Sequence, residues 1–377
     1  MKKVILAAVL LFAPLLVSGD AHAENQASTT PDAAQALIEE FGLRESDIPS
    51  STLPGWRRPE KIVVRVDKPD RLAGFQAVAP GIDIVAVETL DQAVAEAVNA
   101  QVVIGFCEEE LLSAATSLHW LQVYSAGVDR CIAYPSFDKD NILLSNAQRI
   151  ASPALAEHAI ALMMALVRGL DLYHSNQLQG SWQRDVGMKR AQFMELKGRT
   201  VLVVGLGGIG TQVAKRAHGL GMRVIATRGS RREGPEYVEY VGLADEVNGL
   251  AAQADVVINT TPLTNRTRGM FNAAFFDAMK PTAYFISVGR GASTVTNDLV
   301  AALESGSIAG AGLDVTDPEP LPEGHPLWSS PRVIISPHVG GQSDRARDRL
   351  FLLAQENLRR YVAGEAMLSV VDVERGY

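Results

Sequence analysis

Cysteine is almost missing from this chain of 377 residues, with only Cys107 and Cys131 present. A disulfide-built scaffold and a cysteine-rich metal site are thereby excluded, and no metal site is expected. Whether the two cysteines pair is not written in their spacing; two buried thiols are the expectation. An excess of positive charge is also lacking. Lys and Arg number 35 against 43 Asp and Glu, a formal net charge of −8. That counts against a nucleic-acid partner, because such binding rests on neutralising phosphates. A local arginine cluster can override the global sign, so small anions stay open as substrates. Apolar runs long enough to span a bilayer, about 20 residues, are absent as well, and the longest, Val4 to Val17, falls short. What is present is an ordinary globular composition, 47% hydrophobic and 21% charged. Single cores rarely grow beyond roughly 250–300 residues, so a chain of this length implies two domains.

The first residues have the pattern of a secretory signal peptide: positive Met1-Lys2-Lys3, the apolar run to Val17, and small residues in Ala21-His22-Ala23. Cleavage is expected after Ala23. The mature protein is then expected to be exported to the periplasm, with no stable membrane span; a non-functional leader would leave it cytoplasmic. No twin arginine is present, so export would follow the unfolded route.

Residues 24–60 read as an extension rich in Ala, Ser, Thr and Pro, with a short helix at Ala33–Phe41 and a linker at Pro49–Pro59. From Lys61 onward, short β-branched runs alternate with helical stretches, the pattern of a parallel sheet covered on both faces. Lys61–Val66, Asp83–Val87, Val102–Phe106 and Trp120–Tyr124 are strand-like, with helices at Leu90–Val98 and Leu111–Ser117. Pro153 opens an apolar helix, Ala154–Leu170, that bridges two domains. A second series follows: Thr200–Val204, Arg223–Thr227, Val256–Asn259, Ala283–Ser287, Gly310–Asp314 and Val333–Ser336. Six strands of this kind make a doubly wound dinucleotide fold. The fold class is thus α/β, with a first domain over 61–152, a nucleotide domain over 153–338, and a C-terminal part over 339–377.

Gly205-Leu206-Gly207-Gly208-Ile209-Gly210 stands between the strand Thr200–Val204 and a helical stretch from Thr211 to Leu220, the context a dinucleotide fingerprint requires. Gly205 permits the tight turn, Gly207 lets backbone approach the pyrophosphate, and Gly210 lets helix and strand pack closely. The helix N-terminus offers unpaired N–H groups to the phosphates. At the end of the next strand an NAD site usually has Asp or Glu for the ribose 2′-hydroxyl. Here Thr227 is followed by Arg228, Ser230, Arg231 and Arg232. No carboxylate repels a 2′-phosphate, and guanidinium groups pair with one bidentately. NADP(H) is therefore preferred over NAD(H).

Downstream come Val288-Gly289-Arg290-Gly291, then Asp314 and Glu319, then Ser336-Pro337-His338-Val339-Gly340-Gly341. Arginine, carboxylate and histidine in this order, after the glycine motif, make the chain resemble the D-isomer-specific 2-hydroxyacid dehydrogenases from about Lys61 to about Tyr361. The resemblance implies that the nucleotide domain is inserted in a discontinuous substrate domain, with the final helix, about Arg345–Ala363, returning to it. It implies Arg290 on the substrate's carboxylate and carbonyl, where its planar fork fits. It implies His338 as general acid and base, with Glu319 holding the ring and favouring the imidazolium.

The same resemblance places Thr261, Pro262 and Thr267 in a loop beside the cofactor, with Val288, Gly289 and Gly340 nearby and Asp314 at the nicotinamide carboxamide. It makes Ser125-Ala126-Gly127 a turn whose N–H groups meet the substrate carboxylate. His158 is expected to be a packed structural histidine, while Trp182 and Trp328 are left unassigned. A homodimer through the interdomain helix is implied too. Two alternatives accompany the reductase: an exported oxidoreductase that keeps a tightly held NADP, and a non-catalytic protein sensing nicotinamide state.

Overall fold

The structure, a computed structural model, describes residues 31–184, 193–330 and 332–376. The expected signal peptide and the expected cleavage after Ala23 lie outside the described residues. After a helix at Pro31–Phe41 come the strands β1 (Glu45–Pro49), β2 (Lys61–Arg65), β3 (Asp83–Val87), β4 (Val102–Ile104), β5 (Trp120–Gln122) and β6 (Leu143–Ser145). The second series is β7 (Thr200–Val204), β8 (Arg223–Thr227), β9 (Tyr240–Gly242), β10 (Val256–Asn259), β11 (Tyr284–Ser287), β12 (Gly310–Leu313) and β13 (Val333–Ile335), with β14 (Ala366–Leu368) last.

Every strand pair within the two main sheets is parallel. The first sheet runs β3-β2-β4-β5-β6 and the second β13-β12-β11-β10-β7-β8-β9. Read from their own first strands, these are the 2-1-3-4-5 flavodoxin-like order and the 3-2-1-4-5-6 dinucleotide-binding order with one strand added. The Val- and Ile-rich strands have core on both faces. Val201 and Val203 face one apolar cluster, Leu202 and Val204 the other. Val63 and Val64 divide in the same way in the first sheet.

The interdomain helix is Ser152–Val167, shorter than expected, because Gly169 turns left-handed at φ 64 and a second helix, Leu170–Leu178, begins. Leu162, Met163 and Leu166 bury against Val203, Ile258 and Ile286 of the nucleotide sheet. The helix Ala346–Ala363 returns to the first sheet, where Tyr361 stacks on Trp120 with ring centroids 4.9 Å apart.

Three features depart from the sequence reading. β9 is a seventh strand of the nucleotide sheet, too short and mixed in character to show a period. The N-terminal extension contains a strand just before the expected linker: β1 pairs antiparallel with β14, and Arg360 secures it by donating to Glu45 at 2.8 Å. The expectation of two buried thiols is overturned, since Cys107 and Cys131 form a disulfide with Cα atoms 5.6 Å apart. The loop after β4 and the short turn at Cys131–Ala133 converge beside the carboxyl end of the first sheet, which a sequence separation of 24 does not reveal.

Candidate active site

The carboxyl ends of β5 and β11 face each other across the interdomain cleft, where α/β sheets place ligands. Arg290 follows β11 between two glycines that thread a crowded space. A Cβ at Gly289 would lie 2.7 Å from the Thr261 carbonyl oxygen, and one at Gly291 would overlap that of Thr316. The arginine reaches the other domain, where Nε donates to Asp129 Oδ1 at 3.1 Å while Nη1 donates to the Gly289 carbonyl at 3.0 Å. A Cβ at Gly127 would coincide with Arg290 Nη2. Only glycine therefore lets the guanidinium lie on this turn.

The turn itself is rigid. Ser125 Oγ donates to the Gly127 carbonyl at 2.7 Å, Asn146 Nδ2 to the Ala126 carbonyl at 2.7 Å, and the Ala147 N–H to the Ser125 carbonyl at 2.9 Å. The N–H groups of Ala126 and Gly127 have no partner among the described residues. Two backbone donors beside a guanidinium suit a carboxylate.

His338 follows β13 in a left-handed conformation, φ 55, held by its N–H donating to the Asp314 carbonyl at 2.8 Å. Its Nδ1 lies 2.6 Å from Glu319 Oε1. That contact uses one ring nitrogen and leaves Nε2 for a ligand. Asp314, 1% exposed, braces the histidine loop. Its carboxylate accepts from Ser336 Oγ at 2.7 Å, the Val339 N–H at 3.0 Å and the Gly340 N–H at 2.9 Å. His158 joins this network through Ser336 Oγ at 2.7 Å, so the loop is anchored to the interdomain helix. His158 was expected to pack among apolar neighbours; its ring is instead partly exposed and bonded to polar partners.

At the nucleotide end, Gly205 adopts φ 96, and a Cβ at Gly210 would overlap the Gly205 carbonyl. The helix Gly208–Gly219 starts there, its first N–H groups lacking intrahelical partners. Thr227 is buried and its Oγ1 accepts from the Gly205 N–H at 3.3 Å, so it braces the glycine loop. Thr267 closes its own loop by donating to the Pro262 carbonyl at 2.6 Å, and Thr261 donates to Asn259 at 2.7 Å. Arg228 stands beside the loop with Nε buried and unpartnered, while Ser230 and Arg231 are exposed. Arg232 is a correction: it pairs with Glu246 at 2.8 Å and Tyr240 at 3.0 Å, which removes it from the phosphate set. The tight glycine cradle fits a dinucleotide. Ile209 lies in the first turn of the helix, and Val288 is buried two residues before Arg290.

Three residues here were not singled out in the sequence. Asp129 aims Arg290. Asn259, fully buried, donates to Ser287 Oγ at 3.0 Å and Ser293 Oγ at 2.9 Å, tying β10 to the arginine loop. Ser336 links Asp314 with His158. The one available signal was an amide ending the otherwise apolar strand Val256–Asn259.

Residues 160–340 match the family described as "D-isomer specific 2-hydroxyacid dehydrogenase, NAD binding domain". A glyoxylate reductase/hydroxypyruvate reductase of Mus musculus is 35% identical over 263 residues, which cover 70% of this chain and 80% of that protein. Among solved structures, a D-isomer specific 2-hydroxyacid dehydrogenase family protein of Aeromonas salmonicida superposes with TM-score 0.73 at 29% identity, covering 84% of this chain and 100% of that one. A D-isomer specific 2-hydroxyacid dehydrogenase of Xanthobacter autotrophicus, in complex with NADPH and MES, gives TM-score 0.70 at 26% identity, covering 84% and 99%.

Proposed function

The chain belongs to the D-isomer specific 2-hydroxyacid dehydrogenase family, and from that premise we propose that it reduces a small 2-oxo acid to the D-2-hydroxy acid with NADPH preferred over NADH. Its reaction class is that of an NAD(P)-dependent oxidoreductase interconverting 2-oxo and 2-hydroxy acids. The observation that carries the reading is Arg290 crossing from the nucleotide domain onto Gly127 of the other domain.

The Ala126 and Gly127 N–H groups take the substrate carboxylate, and Arg290 spans carboxylate and carbonyl oxygens. The nicotinamide, when bound, supplies hydride to the carbonyl carbon or accepts it back. As the carbonyl π pair moves to oxygen, Arg290 stabilises the developing charge and His338 Nε2 delivers the proton. In the reverse direction neutral His338 takes the hydroxyl proton. Glu319 keeps the ring oriented through Nδ1 and stabilises its cationic form. A non-catalytic nicotinamide sensor would leave this Glu319–His338 pair without a task.

The test is loss of reduced-nicotinamide absorbance with glyoxylate, hydroxypyruvate and pyruvate, using each cofactor in turn. Turnover is expected on at least one acid, with kcat/KM for NADPH about tenfold or more above NADH, one charge-assisted pair's worth. Equal efficiencies would remove the NADP preference, and no turnover with either cofactor would remove the reductase reading.

Export and a homodimer belong to the same proposal. The Cys107–Cys131 disulfide supports an oxidising compartment. Exposed Leu178 and Trp182, 76% and 92% accessible at the end of the helix Leu170–Leu178 and just after it, support a partner surface. Intact and native mass spectrometry of the protein made from the full gene checks all three. The expected chain begins at Glu24, is two hydrogens lighter than its reduced form, and pairs. An uncut, reduced or single chain would sink the corresponding element. No NADPH pool is maintained outside the cytoplasm, so an exported enzyme must hold its nucleotide at roughly nanomolar Kd to keep it for many minutes.

A further inference from the structure

The nucleotide end of the cleft carries more positive charge than the glycine loop and the segment after β8 supply. Arg149, from the stretch between β6 and the helix Ser152–Val167, belongs to the other domain. It lies directly on the glycine loop: a Cβ at Gly208 would sit 2.9 Å from Arg149 Cγ and 3.0 Å from Ser152 Oγ. Its backbone is left-handed at φ 73, an unfavourable conformation for arginine that points to a function for the side chain. Nη1 donates to the Phe41 carbonyl at 3.2 Å, which ties the guanidinium to the N-terminal helix without neutralising it.

Unpartnered groups surround it. Ser152 Oγ, in a residue 4% exposed, and Arg228 Nε are both buried without a hydrogen-bond partner. Burial, then the charges of Arg44 and Arg231, hold Arg149 below the ordinary arginine range. Burial, then Arg231 and Arg149, lower Arg228, and only Glu233 opposes. Four arginines from three parts of the chain thus repel one another where the N-termini of Ser152–Val167 and Gly208–Gly219 meet. Like charges, two positive helix ends and unpartnered donors have their counterion in a phosphate.

We propose that Arg149 is a phosphate ligand for the nucleotide, contributed by the substrate domain, so that bound nucleotide ties the two domains together across the hinge. This rests on the reading of the chain as a nicotinamide-dinucleotide enzyme and adds a ligand from outside the nucleotide domain. A side chain packed on Gly208 and within the field of Arg231 serves either the pyrophosphate or a 2′-phosphate, both on the adenosine half. A ligand on the hinge also slows nucleotide release, as an exported enzyme requires.

The test is equilibrium binding of NADPH and of NADH to full-length protein freed of nucleotide, comparing the parent with Arg149→Gly and Arg149→Asn. Both replacements accept φ 73, and the melting temperature reads the loss of the Phe41 contact separately from nucleotide binding. The Kd for NADPH should rise about ten- to a hundredfold. A rise for NADPH alone assigns Arg149 to the 2′-phosphate and an equal rise for NADH assigns it to the pyrophosphate; either upholds the proposal. Values within about twofold of the parent for both nucleotides overturn it. A parent that binds NADH as tightly as NADPH removes the NADP preference alone, and the Arg149 comparison still decides. A parent that binds neither overturns the cofactor reading and this inference with it.

Discussion

Arg290→Gln should lower kcat/KM for any 2-oxo acid by roughly 10²–10⁴, two charge-assisted hydrogen bonds at about 1.5–3 kcal/mol each. Part of the loss falls on KM, because the guanidinium contacts a carboxylate already charged in the ground state. Part falls on kcat, because negative charge grows on the carbonyl oxygen only in the transition state. The substitution also leaves Asp129, whose carboxylate is 3.1 Å from Arg290 Nε, without its cation. Arg290→Lys keeps the charge and loses the planar fork, so it should fall between parent and Arg290→Gln. Nucleotide affinity should stay within about twofold, since the change lies at the substrate's end of the cleft. Steady-state kinetics with a separate nucleotide titration read both quantities. An Arg290→Gln enzyme within about threefold of the parent in kcat/KM would remove the arginine from substrate binding.

His338→Asn should lower kcat by about 10²–10⁴ in both directions and leave nucleotide Kd unchanged. The pH profile separates a proton donor from a shape-filling ring. Reduction takes a proton from the imidazolium, so its rate should fall with rising pH; oxidation needs the neutral ring and should rise. His338→Asn should flatten both limbs. Glu319→Gln should cost less, because the amide oxygen still accepts from Nδ1 at the 2.6 Å position while the charge favouring the cation is gone. A His338→Asn enzyme with near-parental turnover, or with an intact pH limb, would mean that water or another group carries the proton.

The nucleotide domain was legible because its information is local. Val-Leu-Val-Val before Gly205 reads as a strand with core on both faces, and the glycines that follow are needed where a Cβ would strike the Gly205 carbonyl or the Thr261 backbone. Arg290, Glu319 and His338 were nominated by their order after that motif, and Glu319 and His338 do meet. The arginine-rich segment was only partly legible. Its sign was clear, but Glu246 and Tyr240, which take Arg232, lie on β9 and beyond it, and that strand carries too little pattern to be read.

By itself the sequence determined two α/β sheets and the glycine cradle and nominated Arg290, Glu319 and His338, because strand character, tight turns and acid–base chemistry are properties of residues and their near neighbours. Tertiary structure alone decided what depends on where strand ends converge. It paired β1 with β14 and Cys107 with Cys131, set Arg290 on Asp129 and Gly127, anchored the His338 loop to His158, and laid Arg149 on Gly208. These contacts join segments whose separation along the chain carries no periodic or compositional trace. The parallel sheets bring their carboxyl ends to one cleft, and only that convergence turns scattered arginines, glycines and a carboxylate into a site.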